Sequence, residues 1–110
     1  MDKCFHIMQG DSYPIEFAFY DEETGKKITN SEVSKIEFIL GNTRKVYPEV
    51  GEWDEENGVF LIPFSQEDTF KLREGGTRIQ ARISFQGEDS VVGCKGPRTI
   101  VEDSMSKEIL

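Results

Sequence analysis

Histidine and tryptophan each occur once in this 110-residue chain, and cysteine twice. Catalysis by a serine or cysteine nucleophile draws on a nearby base, most often histidine. His6 is the only one, and it falls on an expected first strand. Two cysteines are too few for a disulfide framework. Cys4, His6 and Cys94 lack the spacing of a zinc site. No G-x-x-x-x-G-K-[ST] or G-x-G-x-x-G occurs, and Gly93-Cys94-Lys95-Gly96 is neither. No catalytic residue, metal ligand or cofactor site is therefore expected. Apolar runs fall well short of the roughly 20 residues that span a bilayer. The opening, Met1 to His6, has no apolar core of a signal peptide, so a cytosol-made soluble protein is expected. Positive charge is the minority: 13 Lys+Arg against 21 Asp+Glu, a net charge of -8. Such a chain suits neither nucleic-acid phosphates nor anionic lipid. Neither partner is expected. The length suffices for one domain with a small core.

What the chain does have is alternation. Apolar residues recur with period two, the mark of half-buried strands. Tyr13–Tyr20 places Ile15, Phe17 and Phe19 on one face. Ser34–Gly41 does so with Ile36, Phe38 and Leu40, Val59–Phe64 with Phe60, Ile62 and Phe64, and Thr77–Phe85 with Ile79, Ala81, Ile83 and Phe85. Weaker strands are read over Lys3–Gln9, Arg44–Trp53 and Val91–Glu102. In the last, Gly93, Gly96 and Pro97 imply a bulge or a change of partner, at an edge. Seven strands with polar turns predict an all-β, antiparallel sandwich over residues 1–103, followed by a tail over 104–110. One segment departs from the pattern. Ser65 stands three residues before Asp68, which predicts a capping box and a short helical turn over 65–72. First and last strands of sandwiches are often neighbours, so Cys4 and Cys94 lie within possible reach. In a cytosolic setting free thiols are the expectation.

The turns repeat each other. Tyr20-Asp21-Glu22-Glu23-Thr24-Gly25 is echoed by Trp53-Asp54-Glu55-Glu56-Asn57-Gly58, and neither has the spacing of an EF-hand. If every strand reverses direction, loops 21–33, 54–58 and 86–90 share one end of the sandwich. That end collects Asp21, Glu22, Glu23, Asp54, Glu55, Glu56, Glu88 and Asp89 against Lys26 and Lys27. It is an acidic pole suited to a basic partner or weak divalent-cation binding. The tail ends in Ile109 and Leu110. Both are expected to be buried, against the chain's own sandwich edge or a neighbouring subunit, with Met105 and Ile109 stacked by a helical turn. Asp21, Glu22, Glu23, Asp54, Glu55, Glu56, Ile109 and Leu110 are thus the candidate contact residues. Trp53, Tyr13, Tyr20 and Tyr47 offer an alternative, a stacking platform for sugar in a carbohydrate- or ligand-binding module.

Two stretches resemble a known family. Gln9-Gly10-Asp11-Ser12 leads into the alternating run Tyr13 to Asp21, then Gly25-Lys26-Lys27-Ile28 and Val33-Ser34-Lys35-Ile36-Glu37-Phe38. Gly58 to Phe64 is followed by Asp68-Thr69-Phe70-Lys71-Leu72 and the long strand to Phe85. The ending Thr99 to Ser106 completes the pattern. The order is similar to that of immunoglobulin-like domains in tail and baseplate proteins of phages and prophages of Gram-positive bacteria, in particular the N-terminal domain of baseplate upper proteins. In that family a Gly-Asp precedes an alternating strand, and a T-x-x-L turn precedes the long one. The resemblance implies a seven-stranded immunoglobulin-like sandwich. It also implies a non-enzymatic virion component, made in the bacterial cytoplasm, whose partners are other virion proteins or copies of itself.

Overall fold

A computed structural model describes residues 4–110, and only the backbone of Cys4, Lys95, Pro97 and Arg98. Its elements are β1 (Cys4–Met8), β2 (Tyr13–Phe17), β3 (Val33–Leu40), β4 (Thr43–Tyr47), β5 (Glu52–Asp54), β6 (Val59–Phe64), α1 (Gln66–Phe70), β7 (Gly75–Phe85) and β8 (Val91–Glu102). The all-β expectation holds. The strands form a five-stranded sheet, ordered β1-β8-β7-β3-β4, and a three-stranded sheet, ordered β2-β6-β5.

Two details of the expected seven-stranded antiparallel plan are corrected. Eight strands appear among the described residues, because the segment read as one strand over Arg44–Trp53 is two. β4 pairs with β3 in the larger sheet, whereas β5 pairs with β6 in the smaller. Between them the chain turns at 48–51 as it passes from one sheet to the other. The pairing is also not wholly antiparallel. β1 runs parallel to β8, Cys4 opposite Arg98 through Met8 opposite Glu102. Lys3, where the first strand was expected to begin, lies outside the described residues. β8 is likewise more than an edge: its second half lies between β1 and β7. The expected irregularity is present, since the β7–β8 register shifts between Arg78 and Gln80. Gly96 is needed there, because a Cβ would stand 2.8 Å from the Ile79 carbonyl oxygen.

The apolar faces of the two sheets meet in one core. Ile15, Ile36, Phe38, Leu40, Phe60, Ile62, Phe64, Ile79 and Ile83 are buried, as their alternation predicts, with Phe17, Phe19 and Phe85 half-buried around them. Phe17 of β2 and Phe38 of β3 link the sheets with ring centroids 4.5 Å apart. Alternation did not pick out Ile7, Val33, Leu72 and Val101, which are also buried.

α1 begins as its sequence dictates. The Ser65 hydroxyl accepts from the Asp68 N–H at 3.1 Å, and the Asp68 carboxylate accepts from the Ser65 N–H at 2.8 Å. Lys45 adds an ion pair to Asp68 at 2.8 Å. Burial pushes the Asp68 carboxyl up, but Lys45 and Ser65 outweigh it and hold it below the ordinary range. The helix docks onto the β1–β2 turn through Thr69. The Thr69 hydroxyl accepts from the Gly10 N–H at 2.8 Å and donates to the Asp11 carbonyl at 2.9 Å. Gln9 donates to the Leu72 carbonyl at 2.8 Å. Thr69 and Leu72 are both buried.

Candidate functional site

The two echoing loops have one construction. In the first, Asp21 Oδ1 accepts from the Glu23 and Thr24 N–H groups at 2.8 and 3.2 Å, and the Asp21 carbonyl accepts from Gly25 N–H at 2.8 Å. In the second, Asp54 Oδ1 accepts from Asn57 N–H at 3.2 Å and the Asp54 carbonyl from Gly58 N–H at 2.8 Å. Each loop closes on a glycine in the left-handed region, Gly25 at φ 72° and Gly58 at φ 66°. That conformation disfavours a side chain. The first carboxylate of each loop therefore holds its own turn. Hydrogen bonds from the Asn57 side chain and backbone keep the Asp54 carboxyl below its ordinary range.

The loops lie side by side, as strand parity requires. Lys27 Nζ donates to the Asn57 carbonyl at 2.9 Å. Gln86 N–H donates to the Glu32 carbonyl at 3.0 Å, which brings the 86–90 turn to the same end. The acidic pole thus exists, but its six expected contact residues divide. Asp21 and Asp54 are engaged in their turns, and Glu55 accepts a hydrogen bond from Trp53 Nε1. Glu22, Glu23 and Glu56 are exposed and project no ion pair within the described residues. Among the described residues no three His, Cys, Asp or Glu side chains gather to hold a metal ion. The divalent-cation reading therefore finds no geometry at this pole.

Ile109 and Leu110 are placed differently from expectation. They lie at the opposite pole, beside α1, where the Leu110 N–H donates to Gln66 Oε1 at 2.7 Å. Neither side chain is buried: Ile109 is 56% and Leu110 101% exposed. Residues 103–110 form no regular structure, so no helical turn stacks Met105 on Ile109. The course of the tail is set instead by Lys107, which donates to Gln9 at 2.6 Å and Asp103 at 2.7 Å.

Of the four aromatics expected to form a stacking platform, Tyr13 and Tyr20 are exposed. Trp53 and Tyr47 both pack on Phe60, at 4.7 and 5.0 Å between centroids. Tyr20 stands apart, with Lys27 Nζ 6.0 Å above its ring. Cys94 is a free, half-buried thiol whose pKa is raised by burial and by Glu22. His6 is exposed, its Nδ1 3.4 Å from Glu102.

One surface escaped the sequence reading. Lys35, Arg44, Arg78 and Arg82 are exposed on the outer face of the five-stranded sheet. They come from three strands, so no local run of cations announces them. Glu37 sits among them and accepts from Arg82 Nε at 2.7 Å and from Arg44 Nε. The Arg82 and Arg44 hydrogen bonds lower the Glu37 pKa from its ordinary 4.5 to about 2. A lowered folded-state pKa means that the unfolded chain binds the proton first as pH falls. Glu37 therefore stabilises the fold fully above pH 4.5, and that contribution disappears as pH falls toward about 2. In urea titrations across this window, Glu37→Gln is expected to flatten the dependence of stability on pH. Equal slopes for both proteins would show that the cluster is not coupled to folding.

Compared with protein-family models, with characterised proteins and with solved structures, the chain has no significant match. No helix among the described residues is long and apolar enough to cross a membrane.

Proposed function

We propose that the chain is an immunoglobulin-like domain and a non-enzymatic structural component of a phage or prophage particle, of the tail or baseplate type, working through protein–protein contacts. The strand order supports the fold part of this reading. With β2 to β8 read as strands B, C, C′, D, E, F and G, the sheets are G-F-C-C′ and B-E-D, the immunoglobulin-like order with one C′ strand beside C. β1 is then an added strand beside G.

The observation that carries the assembly role is the separation of charge. Glu22, Glu23 and Glu56 stand free at one pole, while Lys35, Arg44, Arg78 and Arg82 occupy a sheet face. A molecule with both surfaces can meet complementary patches on other virion proteins or on copies of itself, and charge complementarity sets orientation and partner choice. Ile109 and Leu110, exposed near the other pole, add an apolar contact. The test is mass spectrometry of particles purified from the source lysogen. The chain is expected in the particle fraction at a fixed ratio to a tail protein. Its absence there, with the protein abundant in the cell, would overturn the reading.

A further inference from the structure

The basic face of the larger sheet is built around one carboxylate. β3 runs between β7 and β4. On it, Glu37 stands opposite Arg82 of β7 and Val46 of β4, and Ile39 stands opposite Gln80 and Arg44. Lys35 lies two residues before Glu37 and Arg78 two before Gln80, so strand alternation puts both on the same face. Arg44 and Arg82 each use only Nε, on Glu37, and their terminal amino groups have no partner among the described residues. Lys35 and Arg78 have no hydrogen bond or ion pair among the described residues. Ile39 and Val46, half-buried, supply apolar surface between the cations. Three of the chain's five arginines thus share one exposed face, and arginine is the cation enriched where proteins meet.

We propose that this face binds an acidic segment of a partner protein, whose carboxylates pair with Arg44 and Arg82 beside Glu37 and with Lys35 and Arg78 farther along β3 and β7. The proposal rests on the assembly reading above and names the chemistry of one partner. The argument is charge complementarity at a site that already holds one carboxylate. Glu37 ties both guanidinium groups down, so less side-chain freedom is lost when a second carboxylate arrives. One carboxylate cannot balance four cations, and the free guanidinium N–H groups match carboxylate oxygens in a planar fork. Nucleic acid fits less well. None of the outer-face positions of β3, β4 and β7 is aromatic, so bases find no stacking surface. The chain's net charge of -8 also repels a long polyphosphate, whereas a short acidic segment meets only the local cations.

The probe is a fluorescein-labelled peptide of glutamates, followed by fluorescence anisotropy at pH 7 and low salt. The chain is expected to bind it, and added salt should weaken binding by screening. Arg44→Ala with Arg82→Ala should weaken it by about tenfold, the effect of two exposed ion pairs. Glu37→Gln should tighten it by about threefold, because the resident carboxylate no longer competes for the arginines. Glu22→Gln removes the same charge at the acidic pole and should change affinity less. Circular dichroism checks folding. If the double arginine variant does not fold, Lys35→Ala with Arg78→Ala takes its place, with a loss of about threefold expected. No binding at low salt, binding indifferent to these cations, or equal effects of Glu37→Gln and Glu22→Gln would overturn the proposal. Tighter binding of a single-stranded oligonucleotide of equal charge would give the face to nucleic acid. Sedimentation equilibrium without peptide is expected to show a monomer, and a dimer dissolved by the arginine substitutions would give the face to a second copy. Either result would overturn the proposal. The particle experiment judges the assembly role separately, so either can fail alone.

Discussion

Replacing Phe38 by alanine is expected to remove about 3–5 kcal/mol of folding stability, the usual range for truncating a buried phenylalanine. Phe38 lies at the centre of β3 with no exposed surface. Its ring meets Phe17 at 4.5 Å and Phe19 at 6.1 Å, both from the smaller sheet's side. Truncation removes the ring that touches both layers, and the strand backbones around it are tied by pairing to β4 and β7. The cavity can close only partly. Since domains of this size hold about 5–15 kcal/mol in all, the variant should unfold at a much lower urea concentration. A loss below about 1 kcal/mol would show that the sheets do not meet where Phe38 sits. Ile83→Ala, at an equally buried position on the neighbouring β7, should cost about 2–5 kcal/mol.

The second large effect belongs to Thr69. Its methyl and hydroxyl are both buried, and the hydroxyl joins α1 to the Gly10 N–H and the Asp11 carbonyl. Thr69→Val keeps the shape and removes the hydrogen bonds, leaving a backbone donor and acceptor without their partner. Such orphaned groups cost roughly 1–3 kcal/mol. Thr69→Ser keeps the hydroxyl and loses one methyl, at about 1 kcal/mol. Serine should therefore be the milder change, although valine fills the site better. If urea denaturation ranks valine above serine, packing and not hydrogen bonding holds the helix to the β1–β2 turn.

Where the strands run was legible because period-two alternation records, residue by residue, which side chain meets water and which meets the core. Ile36, Phe38 and Leu40, or Ile79, Ala81 and Ile83, carry that record locally. The capping box was legible for the same reason: Ser65 and Asp68 are three apart and complete each other without help from the rest of the chain. So was the shared end of loops 21–25 and 54–58, which follows from strand reversal alone. The echo between these loops was visible as letters, and its cause is local too, an aspartate capping a turn that closes on glycine. What alternation could not decide is which strand pairs with which. Residues 44–53 alternate weakly throughout, and only the separate partners of β4 and β5 reveal two strands. The parallel pairing of β1 with β8 joins the two ends of the chain, and no local pattern encodes a contact over that separation. The basic face is assembled from β3, β4 and β7, so each strand shows only one or two of its cations. The tail shows the limit most plainly. The sequence marks Ile109 and Leu110 as apolar, but burial needs a surface in reach, and only the tertiary structure shows that α1 and Lys107 hold the tail where those side chains face water.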